Sequence, residues 1–236
     1  MSDQTTAPVA IITGAGRGIG RATALELARR GYRLALVARG ADGLNETARM
    51  AGGALCCPAD VTKPEQMERV VQQALDRHGR IDAVVNNAGL APVRPIVEMS
   101  PQEWRDVIET NLSAAFYLTR AAWPTFEKQR GGVVVNVSSA AARDPFPGFA
   151  AYGAAKAGLN LFGLSAAREG AAINVRVHTV APSAVETGMF RKLMTPDQYP
   201  AEKTLDPAEV ARIIADCVTG ELRHTSGEVI YVHKTV

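Results

Sequence analysis

Cysteine is scarce in this chain. Cys56, Cys57 and Cys217 are odd in number and two are adjacent, which suits neither a disulfide framework nor a zinc cage. A reduced, intracellular setting is therefore expected. Histidine is also sparse: His78, His178, His224 and His233 do not pair at metal-ligand spacing, so no metal site is read. Charge of one sign is missing too, because 26 basic and 24 acidic residues leave a net charge of only +2. That balance lacks the footprint of a nucleic-acid or anionic-membrane binder. Nor is there a long apolar run. The most membrane-like stretch, residues 148–167, is rich in Ala and Gly and carries Lys156 and Asn160. The opening MSDQTTAPVA has no basic segment followed by an apolar one, so no secretory signal is expected and a cytoplasmic location is.

What is present is enough for a full core. The chain has 236 residues, 47% of them hydrophobic, with no Pro/Ser-rich linker, charge block or repeat to divide it. The expectation is one domain spanning residues 1–236. Short runs rich in branched residues recur at 9–13, 33–38, 54–58, 83–86, 133–138, 174–180 and 228–232. Helix-length segments separate them at 18–30, 41–50, 64–78, 101–128, 151–168 and 207–218. Strands alternating with helices imply right-handed crossovers and a buried parallel sheet, a doubly wound α/β fold of about seven strands.

In such a sheet, ligands bind beyond the carboxyl ends of the strands, near the point where strand order reverses. The first strand leads into Thr13-Gly14-Ala15-Gly16-Arg17-Gly18-Ile19-Gly20 and then a helix, a T-G-x-x-x-G-x-G pattern distinct from G-x-G-x-x-G. Glycines permit a tight turn and a close approach by pyrophosphate, and a helix start offers free amides. Taken alone, the turn is equally a structural one. Together with Asn86-Asn87-Ala88-Gly89, Asn111, Ser139 and Tyr152-Gly-Ala-Ala-Lys156, however, it resembles the classical short-chain dehydrogenase/reductase family over about residues 9–232. The resemblance is strongest to members of the 3-oxoacyl-[acyl-carrier-protein] reductase type.

Charge after the second strand bears on the cofactor. An acid there would bond the ribose hydroxyls of NAD and repel a 2′-phosphate, but the strand ends Leu36-Val37-Ala38-Arg39. Arg39 and Arg17 could flank a 2′-phosphate, so NADP(H) is expected; the alternative is two ordinary solvated arginines. Asp42 is the one nearby acid that opposes this. The resemblance implies that Asp60 bonds adenine with Val61 beside it, although a turn or capping aspartate fits the sequence as well. It also implies that Asn87, Ala88 and Gly89 line the cofactor, where a generic Asn/Gly turn is the alternative. Pro182, Val185 and Thr187 match the family segment that contacts the carboxamide, with Ser183 standing where a glycine is usual.

Chemistry is read from Ser139, Tyr152 and Lys156. Residues four apart on a helix share a face, so Tyr152 and Lys156 can face one cleft. A free phenol titrates near ~10, and an opposite charge within ~4–6 Å can lower a pKa by about 1–3. Lys156 is expected to supply that field and make Tyr152 a general acid/base near neutral pH. Ser139 lies 13 residues before Tyr152, the separation seen in the resembled family. Its hydroxyl would bond a substrate oxygen that gains negative charge. Neighbouring Ser138 should point to the other face. Asn111 is implied to hold a water that returns protons to Lys156; a helix kink is the alternative reading.

The segment 188–206 reads as a substrate loop made apolar by Met189, Phe190, Leu193 and Met194. The tail Tyr231-Val232-His233-Lys234-Thr235-Val236 lacks the Asp-Gly-Gly ending of many relatives. The resemblance implies a homodimer or homotetramer formed through the helices at 101–128 and 151–168, with Ala114, Ala115, Ala121, Ala122, Ala166 and Ala167 allowing close approach. The leading functional expectation is an oxidoreductase acting on a small carbonyl or alcohol. The alternatives are a non-catalytic NADP(H) sensor and an interaction scaffold.

Overall fold

A computed structural model describes residues 7–235. The amino-terminal segment read for a leader lies largely outside the described residues, as does Val236. Seven strands form one parallel sheet: β1 (Val9–Thr13), β2 (Arg33–Ala38), β3 (Leu55–Pro58), β4 (Ala83–Asn86), β5 (Gly132–Val137), β6 (Val175–Pro182) and β7 (Val229–Val232). Their order is β3-β2-β1-β4-β5-β6-β7. Every residue of β1 and of β4 is buried, as expected for strands covered on both faces.

Side-chain alternation divides the core in two. Ala10, Ile12, Leu34, Leu36, Val85 and Val135 face one layer, and Ile11, Ala35, Val37, Val84, Val134 and Val177 the other. The first layer is covered by α1 (Gly18–Arg29), α2 (Ala41–Met50) and α8 (Pro207–Thr219) through Ala24, Leu27, Leu44, Val210 and Ile214. The second is covered by α3 (Pro64–His78), α5 (Ala114–Gln129) and α6 (Ala150–Gly170) through Met67, Val70, Leu118, Phe126 and Ala166. Local signals set many helix ends. Pro64 opens α3 and Gly79, at φ +78°, closes it. Asp206 and Glu209 form a capping box on α8; Ser100 and Glu103 do the same for α4 (Pro101–Ile108). A short α7 (Gly188–Arg191) lies within the 188–206 loop.

The helix read over 101–128 is found over 101–129, with one π-helical turn at Glu109–Ser113 between α4 and α5 (Ala114–Gln129). Asn111 sits in that turn and is buried, its amide donating to the carbonyls of Leu90 and Val107 at 2.9 Å each. The extra residue in the turn aims Asn111 inward. One expectation needs correction: Ala114, Ala115, Ala122, Ala166 and Ala167 are buried within the protomer core, so they are not free to admit a partner helix, while Ala121 is only partly buried. Burial pushes Cys57 up to about 11 and Cys217 up to about 12, which makes them inert packing thiols at neutral pH. Among the described residues no helix is long and apolar enough to cross a membrane, and no His/Cys/Asp/Glu group has metal-binding geometry.

Candidate active site

Strand order reverses at β1, whose neighbours are β2 and β4, and the crevice opens at the carboxyl ends of β1 and β4. The glycine turn lies there. Gly14 at φ +65° and Gly18 at φ +54° adopt left-handed backbone that disfavours other residues. Gly20 is demanded by packing, since a Cβ would sit 2.3 Å from the Gly14 carbonyl oxygen and 2.5 Å from Asn87 Nδ2.

Asn87 ties the two strand ends together. Its Nδ2 donates to the Thr13 carbonyl at 2.8 Å, and the Asn87 and Ala88 amides donate to Thr13 Oγ1 at 2.9 and 3.0 Å. The Asn-Asn-Ala-Gly segment is thus a staple for the glycine turn as well as part of the crevice wall. Helix α2 supports the turn from the other side. Thr47 Oγ1 donates to the Ala15 carbonyl at 3.0 Å, and Arg21 links the Gly16 carbonyl to Glu46. Gly43 permits this approach, because a Cβ there would lie 3.0 Å from the Gly16 carbonyl oxygen.

From the glycine turn a cavity of about 1070 Å³ extends over the ends of β4, β5 and β6. Drug-sized pockets span roughly 300–1,000 Å³, so this one has room for a dinucleotide and a second small molecule. Gly14, Gly16, Arg17, Gly18, Ile19, Arg39, Asp60, Val61, Asn87, Ala88, Gly89, Asn111, Ser139, Tyr152, Lys156, Pro182, Val185 and Thr187 all line it. Of the site residues read from sequence, only Gly20 does not, and it acts from behind the turn. Asp42 is absent from the wall, while Gly40 and Gly43 on either side are present. Asp60 accepts hydrogen bonds from the Thr62 amide and hydroxyl at 3.0 and 2.8 Å, so the turn-aspartate reading is also met. Its carboxyl is held below the usual range: burial works against this, but the Thr62 hydrogen bonds and the Arg39 and Lys63 charges prevail.

Ser139 follows the end of β5 and caps a 3-10 turn, Ala140–Ala142, accepting from the Ala141 amide at 3.2 Å. Ser138 turns away, buried, and donates to the Lys156 carbonyl at 3.2 Å. Gly153 lets α6 close on the Ser139 turn; a Cβ there would lie 3.1 Å from the Ala141 carbonyl oxygen. That approach carries Tyr152 to the cavity wall, with the Phe149 ring centred 5.4 Å from its own.

Electrostatics differ from the expectation. Lys156 Nζ donates to the Val137 carbonyl at 2.8 Å and lies 5.7 Å from the Tyr152 ring centroid. Burial pushes the Tyr152 phenol above its ordinary value, opposed by the nearby Ser139 hydroxyl and not by lysine. Burial also lowers Lys156 to about 8. The phenol therefore keeps its proton at neutral pH.

Beyond the triad the cavity is walled by Phe146, Phe149, Met189, Phe190, Leu193 and Met194. The 188–206 loop is tied at its base. Arg191 pairs with Glu186 and donates to the Tyr199 carbonyl at 2.8 Å, and Thr204 Oγ1 donates to Glu186 at 3.1 Å. Sequence reading missed Gly43, Arg143 and His233 on the cavity wall. The first had a signal, a glycine near the start of a helix beside a nucleotide-type turn, and so had Arg143, one short turn past Ser139 beyond the end of β5; His233 had none, because strand pairing brings it in.

Comparison with known proteins agrees with this architecture. The short chain dehydrogenase family profile matches residues 8–198. The chain is 37% identical over 232 residues to the 3-oxoacyl-[acyl-carrier-protein] reductase FabG of Vibrio cholerae, covering 95% of each chain. It is 36% identical over 234 residues to the reductase of the same name from Escherichia coli K12, again with 95% coverage of both. Among solved structures, 3-ketoacyl-(acyl-carrier-protein) reductase from Brucella melitensis, complexed with NADH, superposes with a TM-score of 0.91 at 28% identity, covering 96% of this chain and 97% of that one. Levodione reductase superposes with a TM-score of 0.90 at 27% identity and 96% coverage of both. With this sheet order, this glycine turn and a family match over most of its length, the chain belongs to the short-chain dehydrogenase family of oxidoreductases.

Proposed function

We propose that this protein catalyses reversible hydride transfer between NADP(H) and a carbonyl or secondary alcohol. The observation that carries the reading is that Ser139, Tyr152 and Lys156 line the same cavity as the glycine turn, so a dinucleotide and a small substrate would meet at the triad. The turn fits a pyrophosphate, because side chains at Gly14 or Gly18 would be strained there and the start of α1 presents amides to it. When bound, the nicotinamide supplies or accepts the hydride.

The residues of the chain do the rest. In the reduction direction Tyr152 donates its phenolic proton to the carbonyl oxygen, and Ser139 donates a hydrogen bond to the same oxygen as negative charge grows on it. The raised phenol pKa suits an acid that enters the cycle protonated. Lys156 would hold the cofactor ribose. Asn111 Oδ1 and Lys156 Nζ lie 2.7 and 3.7 Å from the position of a Cβ on Gly89, so both border the same point.

NADP(H) is favoured over NAD(H) by charge. Arg17 and Arg39 are exposed on the cavity wall, and among the described residues neither pairs with a carboxylate. The similarity to 3-oxoacyl-[acyl-carrier-protein] reductases supports an oxoacyl-type or general ketone substrate. Oxidation of NADPH and NADH by a panel of ketones, acyl thioesters and quinones tests the reading. Tyr152→Phe should abolish turnover and still bind NADPH; full activity in that variant would remove the proposed acid.

A further inference from the structure

One turn beyond Ser139 stands Arg143, and nothing in the proposed hydride transfer uses it. The 3-10 turn Ala140–Ala142 separates the two, which places their backbones about 8 Å apart at ~2 Å per residue. Arg143 lines the same cavity as Ser139 and Tyr152. Its guanidinium carbon lies 4.2 Å from the centre of the Tyr231 ring, a cation–π seat for the side chain. Tyr231 in turn stacks on His233, with rings 13° from parallel and centroids 6.4 Å apart, and His233 also lines the cavity.

The seat is built by long-range pairing. Tyr231 is opposite Ala181 in the β6–β7 ladder, and the Ser183 amide donates to the Val232 carbonyl at 2.9 Å. This brings the tail, where the sequence departs from the Asp-Gly-Gly ending of many relatives, to the rim of the pocket. Among the described residues no carboxylate lies within ion-pair distance of Arg143, and its guanidinium has no hydrogen-bond acceptor. Asp144 is on the same rim and forms no ion pair with it. A guanidinium resting on an aromatic ring makes no hydrogen bond to it, which leaves its N–H groups to bind a carboxylate or phosphate through two parallel hydrogen bonds.

We propose that Arg143, seated on Tyr231, is a specificity residue that binds an anionic oxygen group at the far end of the substrate from its carbonyl. The inference rests on the reductase reading of the site. Apolar walls from Phe146, Phe149 and Met189 lie in the same cavity, so the substrate it describes is an oxo compound with an apolar middle and an acidic end. A linear eight-carbon chain carrying the two groups at opposite ends serves as the probe of that substrate.

Calorimetric titration of the protein–NADP⁺ complex with octanoate, octyl phosphate and neutral octanamide tests this without turnover. Wild type should bind an anion about 10-fold more tightly than octanamide, the value of one charge-assisted hydrogen bond. Arg143→Met should lose that preference and still bind octanamide, Arg143→Lys should retain part of it, and Tyr231→Leu, which keeps the charge but removes its seat, should weaken it. Loss confined to octyl phosphate assigns a phosphate, and loss confined to octanoate assigns a carboxylate. No preference in wild type, a preference that survives Arg143→Met, or no binding of any of the three overturns the proposal. In parallel, 7-oxooctanoate and its methyl ester are offered as substrates with NADPH. Wild type should favour the free acid and Arg143→Met should not. If no carbonyl of any kind is reduced, the reductase reading fails, while the titrations still decide the role of Arg143.

Discussion

The Lys156 ammonium donates to the Val137 carbonyl and not to Tyr152, whose ring centre is 5.7 Å away. Burial raises the phenol pKa and the Ser139 hydroxyl only opposes that rise. An ultraviolet pH titration of the nucleotide-free protein, taken as the difference between wild type and Tyr152→Phe, should show tyrosinate forming above the ordinary tyrosine value of ~10. A step well below that value would mean that lysine already acidifies the phenol in the free protein.

The same lysine is a burden on stability. Burial depresses its folded pKa to about 8, whereas in the unfolded chain it titrates near ~10.4. Below the folded value both states carry the proton and the full cost of the buried charge is felt; the cost fades as pH rises toward the unfolded value. Lys156→Met should therefore gain about 1–3 kcal/mol at pH 7, allowing for loss of the Val137 hydrogen bond, and abolish activity. Urea denaturation at pH 7 and pH 10 measures it. A variant less stable than wild type at pH 7 would show that the lysine holds the cleft together.

How much of this was legible in the chain depended on range. The strands announced themselves as buried apolar runs such as Val9–Thr13, and Pro64, Gly79 and the Asp206–Glu209 box marked helix ends within a few residues of chain. Most of the expected site residues reached the cavity because a parallel sheet delivers its strand ends to one edge. The π-turn was invisible, because no Gly or Pro marks it; the Asn111 amide bonding to Leu90, 21 residues away, is the local feature that accompanies it. His233 was missed because only the β6–β7 ladder brings the end of β7 beside the pocket. The core alanines of α5 and α6 misled for a similar reason: small residues favour close packing, and composition does not say whether the neighbour is a partner or the chain's own sheet.

His178 should make the fold acid-sensitive. It is fully buried in β6, bonded at Nδ1 to Thr225 Oγ1 at 3.0 Å, and burial with the Arg176 charge lowers it to about 4. A base with a depressed folded pKa contributes stability that is present above its unfolded value of ~6.5 and is lost as pH falls toward 4. The loss at this site is up to about 3 kcal/mol. His178→Asn should flatten the decline in denaturation midpoint between pH 6.5 and 4. An unchanged slope would place the acid sensitivity elsewhere.

The glycine turn gives a steric test. Gly20→Ala puts a methyl 2.3 Å from the Gly14 carbonyl oxygen and 2.5 Å from Asn87 Nδ2, inside the staple between β1 and β4. Backbone must move to accept it, and overpacking of this kind costs about 1–3 kcal/mol. Thermal melting should fall by several degrees and NADPH binding, followed by fluorescence, should weaken by at least about 10-fold. Gly31→Ala serves as the control, since no atom lies within 4 Å of a Cβ there, although its φ of +86° adds strain of its own. It should cost stability without affecting NADPH. Normal binding in Gly20→Ala would remove the turn from the nucleotide site.

Cofactor choice should turn on Arg39. It stands at the end of β2 on the cavity wall, its charge contributes to lowering Asp60, and the acid that could oppose it, Asp42, is not on that wall. A guanidinium pairing with a 2′-phosphate adds one or two charge-assisted hydrogen bonds at about 1.5–3 kcal/mol each, a factor of about 10–100 in affinity for the first. Arg39→Asp removes that contact and adds the charge that bonds ribose hydroxyls and repels phosphate. The ratio of kcat/KM for NADPH over NADH should fall at least about 100-fold, most of it in KM because the adenosine end is remote from the reacting atoms. Arg17→Ala should lower the ratio by less, since no acid is introduced. If Arg39→Asp leaves the ratio unchanged, the arginine is only a solvated side chain and the preference must be sought at Arg17 and the amides of the turn.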